Sequence, residues 1–291
     1  MITVSIQNFL INSTKVVFSL VKIVVLSKKP SKYKIERNSD SIVVLANGPS
    51  FSKTYADHKD FLLNKETLCV NYFPVSPLYE EIKPKYVIIS GPDVWQDAIS
   101  EEVTQRFTVL YEALATKTTW KITFFIPCEA RNWKYWQKIL STNKNISIYY
   151  YNNTPIDGFK WFQHLCFNLK LGMPRPQNII IPSIYNLIQL QYKTIYLWGV
   201  DHSWLKEISV TDDNIPLVCQ KHFYDEGQSK PLPMHKGGKG QRKLHEILYK
   251  FMKTFESYFT LKEYADSKNI SIINNTPDSL IDAFERQKIG N

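Results

Sequence analysis

The sequence predicts an α/β fold, a parallel sheet with helices on both faces and an irregular segment inserted late in the chain. Two observations carry this. From Ser41 onward, short apolar runs alternate with longer amphipathic ones, a pattern that calls for right-handed crossovers between parallel strands. Several of the short runs also stop at turns built from Asn, Gly, Pro or Asp, and in an open parallel sheet ligands bind beyond the carboxyl ends of the strands. A chain of 291 residues supports one large core, or one core with an elaboration.

The first element is a basic N-terminal segment, residues 1–37. Its apolar core, 16–26, is interrupted by Ser19 and Lys22, too short and too charged to span a bilayer. No small-residue cleavage site follows before Lys28-Lys29, which disfavours a secretory signal. Seven basic residues stand here against one acid, a net of +6 out of +9 for the whole chain. Two readings stay open: an interfacial helix whose lysines reach anionic headgroups, or a helix packed on the body. The first puts the protein in the cytoplasm, peripheral on the inner face of the membrane, with a segment dispensable for folding. The remaining body, 38–291, carries no sustained basic stripe, which argues against a nucleic-acid partner.

Within that body, strands are expected at 42–46, 67–71, 86–90, 121–126, 146–150, 194–198 and 271–273. A helix over 93–115 places Phe107, Leu110 and Leu114 on one face, and a mostly apolar helix is expected over 179–192. Residues 203–240 lack periodicity and read as a lid. A long helical pattern follows, from Leu244 to Phe259. The four cysteines are widely spaced and suit buried thiols rather than disulfides or zinc ligands.

The most informative stretch is Asn47-Gly48-Pro49-Ser50, directly after the first apolar run. Gly48 can adopt a left-handed conformation, Pro49 presets the turn, and Ser50 is the expected N-cap of the next helix. Such a helix start suits a phosphate or nucleotide, although a plain strand-to-helix turn gives the same pattern. Four further turns would meet it on one rim: Asn71, Ser90-Gly91-Pro92-Asp93, Gly199-Val200-Asp201-His202 and Asn274-Asn275-Thr276. Neither a Gly-x-Gly-x-x-Gly fingerprint nor a Walker A sequence occurs, and no spacing suggests a resident metal or cofactor. Among the histidines, a loop residue such as His202, His222 or His235 could serve as a general base near neutral pH.

The Asn47-Gly48-Pro49-Ser50 start, the Asn71 strand end, Ile195-Tyr196-Leu197-Trp198-Gly199-Val200-Asp201 and Asn275-Thr276-Pro277-Asp278-Ser279-Leu280 resemble the bacterial CMP-sialic acid-dependent sialyltransferases. The same skeleton is similar to MptE-like pterin diphosphokinases and to flagellin glycosyltransferase cores. The resemblance covers roughly 40–286, with firm matches confined to strand ends. It implies a Rossmann-like domain of modified GT-A type with a lid, and metal-independent, inverting transfer of a sialic acid-like sugar from a CMP-activated donor to a saccharide acceptor hydroxyl in surface-polysaccharide assembly. By that resemblance Asn47, Gly48, Pro49, Ser50, Asn71, Gly91, Ser183, Gly199 and Asp201 would bind the nucleotide. Tyr224 would hydrogen-bond the leaving phosphate, and the base would be His235 first, His222 second. The chain departs from the family at Ser90-Gly91-Pro92, where an asparagine is expected. Two alternatives therefore accompany this reading: a 6-hydroxymethylpterin diphosphokinase using ATP and magnesium, and a non-catalytic nucleotide-sugar binding protein.

Overall fold

Strand β1 (Ser41–Leu45) is the pivot of the molecule. In a computed structural model, which describes residues 2–32, 35–96, 101–225, 229–236 and 240–289, β2 (Glu66–Val70), β3 (Tyr86–Ile88), β4 (Ile122–Pro127) and β5 (Ile146–Tyr151) step away from β1 on one side. The chain then returns, and β6 (Thr194–Trp198) pairs with the other edge of β1. β7 (Ile208–Val210), β8 (Pro216–Val218) and β9 (Leu232–Pro233) form a small antiparallel sheet; β10 (Ser271–Asn274) and β11 (Glu285–Arg286) extend the main one. The main sheet has the order β11-β10-β6-β1-β2-β3-β4-β5, and every pairing in it is parallel. This is the α/β, Rossmann-like fold. Its topological switch point, where such sheets bind ligands, lies between β1 and β6.

Eight helices surround the sheet among the described residues: α1 (Ile2–Leu26), α2 (Phe51–Leu63), α3 (Leu78–Ile82), α4 (Glu101–Lys117), α5 (Tyr135–Leu140), α6 (Lys160–Asn168), α7 (Ile180–Gln189) and α8 (Leu244–Asp266). Side chains alternate across a strand, so Ile42 and Val44 enter one core with α7 and α8, while Val43 and Leu45 enter the other with α2 and α4. Both faces are covered, which explains why the strands read as continuous apolar runs.

The seven expected strands all form, with small shifts at their ends. Of the helix expected over 93–115, Pro92–Val94 form a 3₁₀ turn and Glu101–Lys117 form α4, while residues 97–100 lie outside the described residues. The helix expected to reach 192 stops at Gln189, because Gln191 turns left-handed at φ 64°. Residues 203–240, expected as an aperiodic lid, contain regular structure among their described residues, with 226–228 and 237–239 outside them. They hold a 3₁₀ turn at Ser203–Glu207 and the β7–β9 sheet, whose Val218 packs with Ile247 and Phe251 of α8. Strands of two or three residues are too short to show a periodicity.

α1 corrects the reading of the N-terminus. It is one continuous helix, and its Ser5–Leu26 stretch is long and apolar enough to cross a membrane. The apolar core at 16–26 is only its C-terminal half. It also docks on the body: the Ser19 hydroxyl, fully buried, donates to the Asp157 carbonyl and accepts from the Asp157 N–H, both at 2.9 Å. Lys22 and Arg175 share the Asp157 carboxylate at 3.2 and 2.8 Å. Burial opposes ionisation of Asp157, but the two cations outweigh it and hold the carboxyl below its usual range. Beyond α1, Ser31 bonds the backbone of Tyr150 on edge strand β5. These contacts tie the N-terminal segment to the body.

Candidate functional site

The β1–β6 ladder continues past the strands, with Gly48 N–H donating to the Gly199 carbonyl at 2.9 Å. Both glycines are needed here, for different reasons. Gly199 has φ +69°, and a Cβ on it would lie 2.6 Å from the Ala46 oxygen. Gly48 is not left-handed, contrary to expectation. Its constraint is close approach, since a Cβ would stand 1.9 Å from an Asp201 carboxylate oxygen and 2.4 Å from the Gly199 oxygen.

Asp201 explains that crowding. Its carboxylate accepts from the Ser50 N–H at 3.1 Å and from the Ser50 hydroxyl at 2.9 Å. Ser50 itself has helical φ/ψ and does not cap α2 with its side chain. The helix N-terminus expected to seat a phosphate is thus capped by a carboxylate from the end of β6, and an anion placed there would meet like charge. Burial raises the Asp201 pKa, and the two hydrogen bonds from Ser50 oppose that rise.

Over these strand ends opens a cavity of 620 Å³, within the size range of ligand sites. Asn47, Gly48, Pro49, Asn71, Gly91, Gly199 and Asp201 line its floor. Asn47 donates its amide to the Val70 carbonyl at 3.2 Å, and its side-chain oxygen is buried without a donor. Asn71 sits at φ 49°, a left-handed position that asparagine tolerates.

Ser50, Ser183, the Asn274-Asn275-Thr276 turn and His235 do not line the cavity. The Ser50 hydroxyl is committed to Asp201. Ser183 is fully buried on α7 and donates to the Ile179 carbonyl at 2.8 Å, an ordinary bond within a helix. The Asn274-Asn275-Thr276 turn lies beneath the floor, where the Thr276 hydroxyl accepts from Val200 N–H and donates to the Leu197 carbonyl. His235 is exposed, in a short extended hairpin closed by Lys236 N–H to Gly240 O and Arg242 N–H to Met234 O. Alternation along that hairpin turns Met234 and Arg242 to the cavity and His235 to solvent.

His222, by contrast, lines the cavity. Its Nδ1 lies 3.1 Å from the Asp225 carboxylate, which also accepts from the His222 N–H at 2.8 Å and from the Ser229 hydroxyl. Burial works against ionisation of Asp225, yet these hydrogen bonds hold its carboxyl below the usual range. An ionised carboxylate on Nδ1 fixes the tautomer that leaves Nε2 free to accept a proton. Tyr224 lies outside the cavity lining, stacked on the His222 ring at 5.1 Å and 3°. Phe223 pins the segment: its N–H donates to the Asn47 carbonyl at 2.9 Å and its ring packs on Phe51.

His202 also lines the cavity but is already engaged. Its Nε2 is 2.6 Å from the Tyr258 hydroxyl and 3.1 Å from the Asn178 amide, and burial pushes its pKa down to about 3. It stays neutral at physiological pH and serves as wall, not base. Because the unfolded chain protonates this imidazole below about pH 6.5, His202 should cost the fold roughly 2 kcal/mol of stability between pH 7 and pH 5, and more toward pH 3. Urea unfolding at both pH values should show a drop in wild type that is smaller by that amount in His202→Asn, which keeps a residue suited to φ 54°.

Two cations form the roof, Arg242 just before α8 and Lys250 within it. Neither side chain makes a hydrogen bond or ion pair with a described residue, and Arg242 Nε is buried without an acceptor. Burial, then the neighbouring Arg242 charge, pushes the Lys250 pKa down, with Asp93 opposing. Cations held in this way gain from an anion. Sequence reasoning missed both, since each passes as an ordinary polar residue around a helix start.

No protein-family profile matches the chain, and no curated protein matches its sequence. Among solved structures, the MAf glycosyltransferase from Magnetospirillum magneticum AMB-1 matches with a TM-score of 0.45 at 8% identity, over 95% of this chain. This chain spans 38% of that one. The chemistry therefore rests on this chain's own residues. Among the described residues, no group of three or more His, Cys, Asp or Glu could hold a metal ion.

Proposed function

We propose that this chain is a glycosyltransferase that moves a sialic acid-like sugar from a CMP-activated donor to a saccharide hydroxyl, with inversion. The observation that supports this best is the division of one cavity into two chemistries. Its floor offers amide and carboxylate groups at Asn47, Asn71 and Asp201, suited to a nucleoside, while its roof offers Arg242 and Lys250, suited to a phosphate. The motif resemblance falls on the floor, and a histidine–aspartate pair stands at the rim.

In this reading the acceptor oxygen attacks the anomeric carbon as the bond from that carbon to the donor phosphate oxygen breaks. The electron pair leaves with the phosphate and is stabilised by Arg242 and Lys250. The acceptor proton passes to His222 Nε2, and Asp225 stabilises the imidazolium that forms.

A thermal-shift screen against CMP, CDP, UDP, GDP and ATP, with and without magnesium, tests the donor class. Cytidine nucleotides at about 100 times their Kd should raise Tm by roughly 5 °C without magnesium. A largest shift from ATP with magnesium would favour the pterin diphosphokinase reading, and no shift from any nucleotide would remove the proposal.

A further inference from the structure

α1 presents an apolar face that the body does not cover. Ile6, Leu10, Val17, Val21 and Val24 recur at helical spacing and are all exposed, Val24 by 85%. α6 continues this surface. Trp161, Leu165 and Leu169 lie four residues apart and exposed, while Phe162 and Cys166 of the same helix are buried. The two helices are joined by rings, Phe9 against Phe159 at 5.5 Å and Phe159 stacked on Trp161 at 6.4 Å. So wide an apolar face, with a tryptophan at its margin, is unusual for a surface left in water.

Charge identifies the occupant. Lys28, Lys29 and Lys32 follow α1 and are exposed, Lys170 follows Leu169, and the only acid before residue 38 is Glu36. We infer that α1 and α6 together dock in the plane of a lipid bilayer rich in anionic headgroups. α1 is long enough to span instead. Spanning is opposed by its docking seam, because Ser19 and Lys22 hold Asp157, and Asp157 holds Arg175. A helix crossing the bilayer in this arrangement would draw those charges into hydrocarbon, whereas a helix lying flat leaves them above it.

The test uses the full chain and vesicles of phosphatidylcholine, with or without one-third phosphatidylglycerol. Binding is expected on the anionic vesicles, weakened roughly 30-fold by Lys28→Gln with Lys29→Gln. Val21→Glu with Val24→Glu should abolish binding and leave Tm unchanged, since both side chains are exposed. The four native cysteines are buried, so a fluorophore can be placed selectively on Leu10→Cys, Val17→Cys or Val24→Cys. Quenching by depth-labelled lipids should give one shallow depth for all three. A depth graded through the bilayer centre would overturn the inference in favour of a span. A failure to bind vesicles would overturn it too, and if that protein is a dimer broken by Val21→Glu with Val24→Glu, a second copy covers the face.

Discussion

Replacing His222 by alanine is expected to lower turnover of a CMP-sugar by 10²–10⁴-fold while CMP affinity changes little. A general base contributes on that order, and a group acting only in the transition state lowers kcat and kcat/KM together. His222 has what the role requires: a place on the cavity, an orienting carboxylate at 3.1 Å and a ring held by Tyr224. Asp225→Asn should cost less, because the imidazole remains but loses the ionised partner that fixes its tautomer. His235→Ala should stay within about twofold, since that ring faces solvent. The check is the initial rate of CMP release from CMP-sialic acid in the presence of a saccharide acceptor. The reverse ranking would return the base to His235, and near-normal rates in both variants would leave no histidine base.

The fold was legible in the sequence because its strands are buried on both faces and end in marked turns. Ile42 to Leu45 and Ile195 to Trp198 read as strands from composition alone, and Asn47-Gly48 and Gly199 mark the ends that meet at the switch point. Contacts between distant parts of the chain were not legible. Asp201 caps the start of α2 through Ser50, 151 residues earlier in sequence, so the Ser50 side chain looked like the cap and the helix start like a phosphate seat. His235 and His222 could not be told apart in the sequence, because the isolated bridge between His235 and Gln241, in which His235 is exposed, leaves no periodicity to read. α1 was underestimated because its polar interruptions, Ser19 and Lys22, looked like breaks in a membrane segment. They are its points of attachment to Asp157.

The central claim is that the cavity divides its ligand, nucleoside on the floor and phosphate under the roof. Among the described residues, Arg242 and Lys250 line the cavity with no hydrogen-bond or ion-pair partner for their side chains. Each charge-assisted contact to a phosphate contributes about 1.5–3 kcal/mol. Loss of both should therefore weaken binding of a phosphorylated ligand by roughly 10²–10⁴-fold and leave an unphosphorylated one nearly untouched. Calorimetric titration of CMP and of cytidine into wild type and into Arg242→Ala with Lys250→Ala measures this directly. Wild type should prefer CMP by at least about 100-fold, and the double variant should bind the two alike, with the cytidine affinity of wild type. A double variant that keeps the preference for CMP would place the phosphate elsewhere and contradict the account.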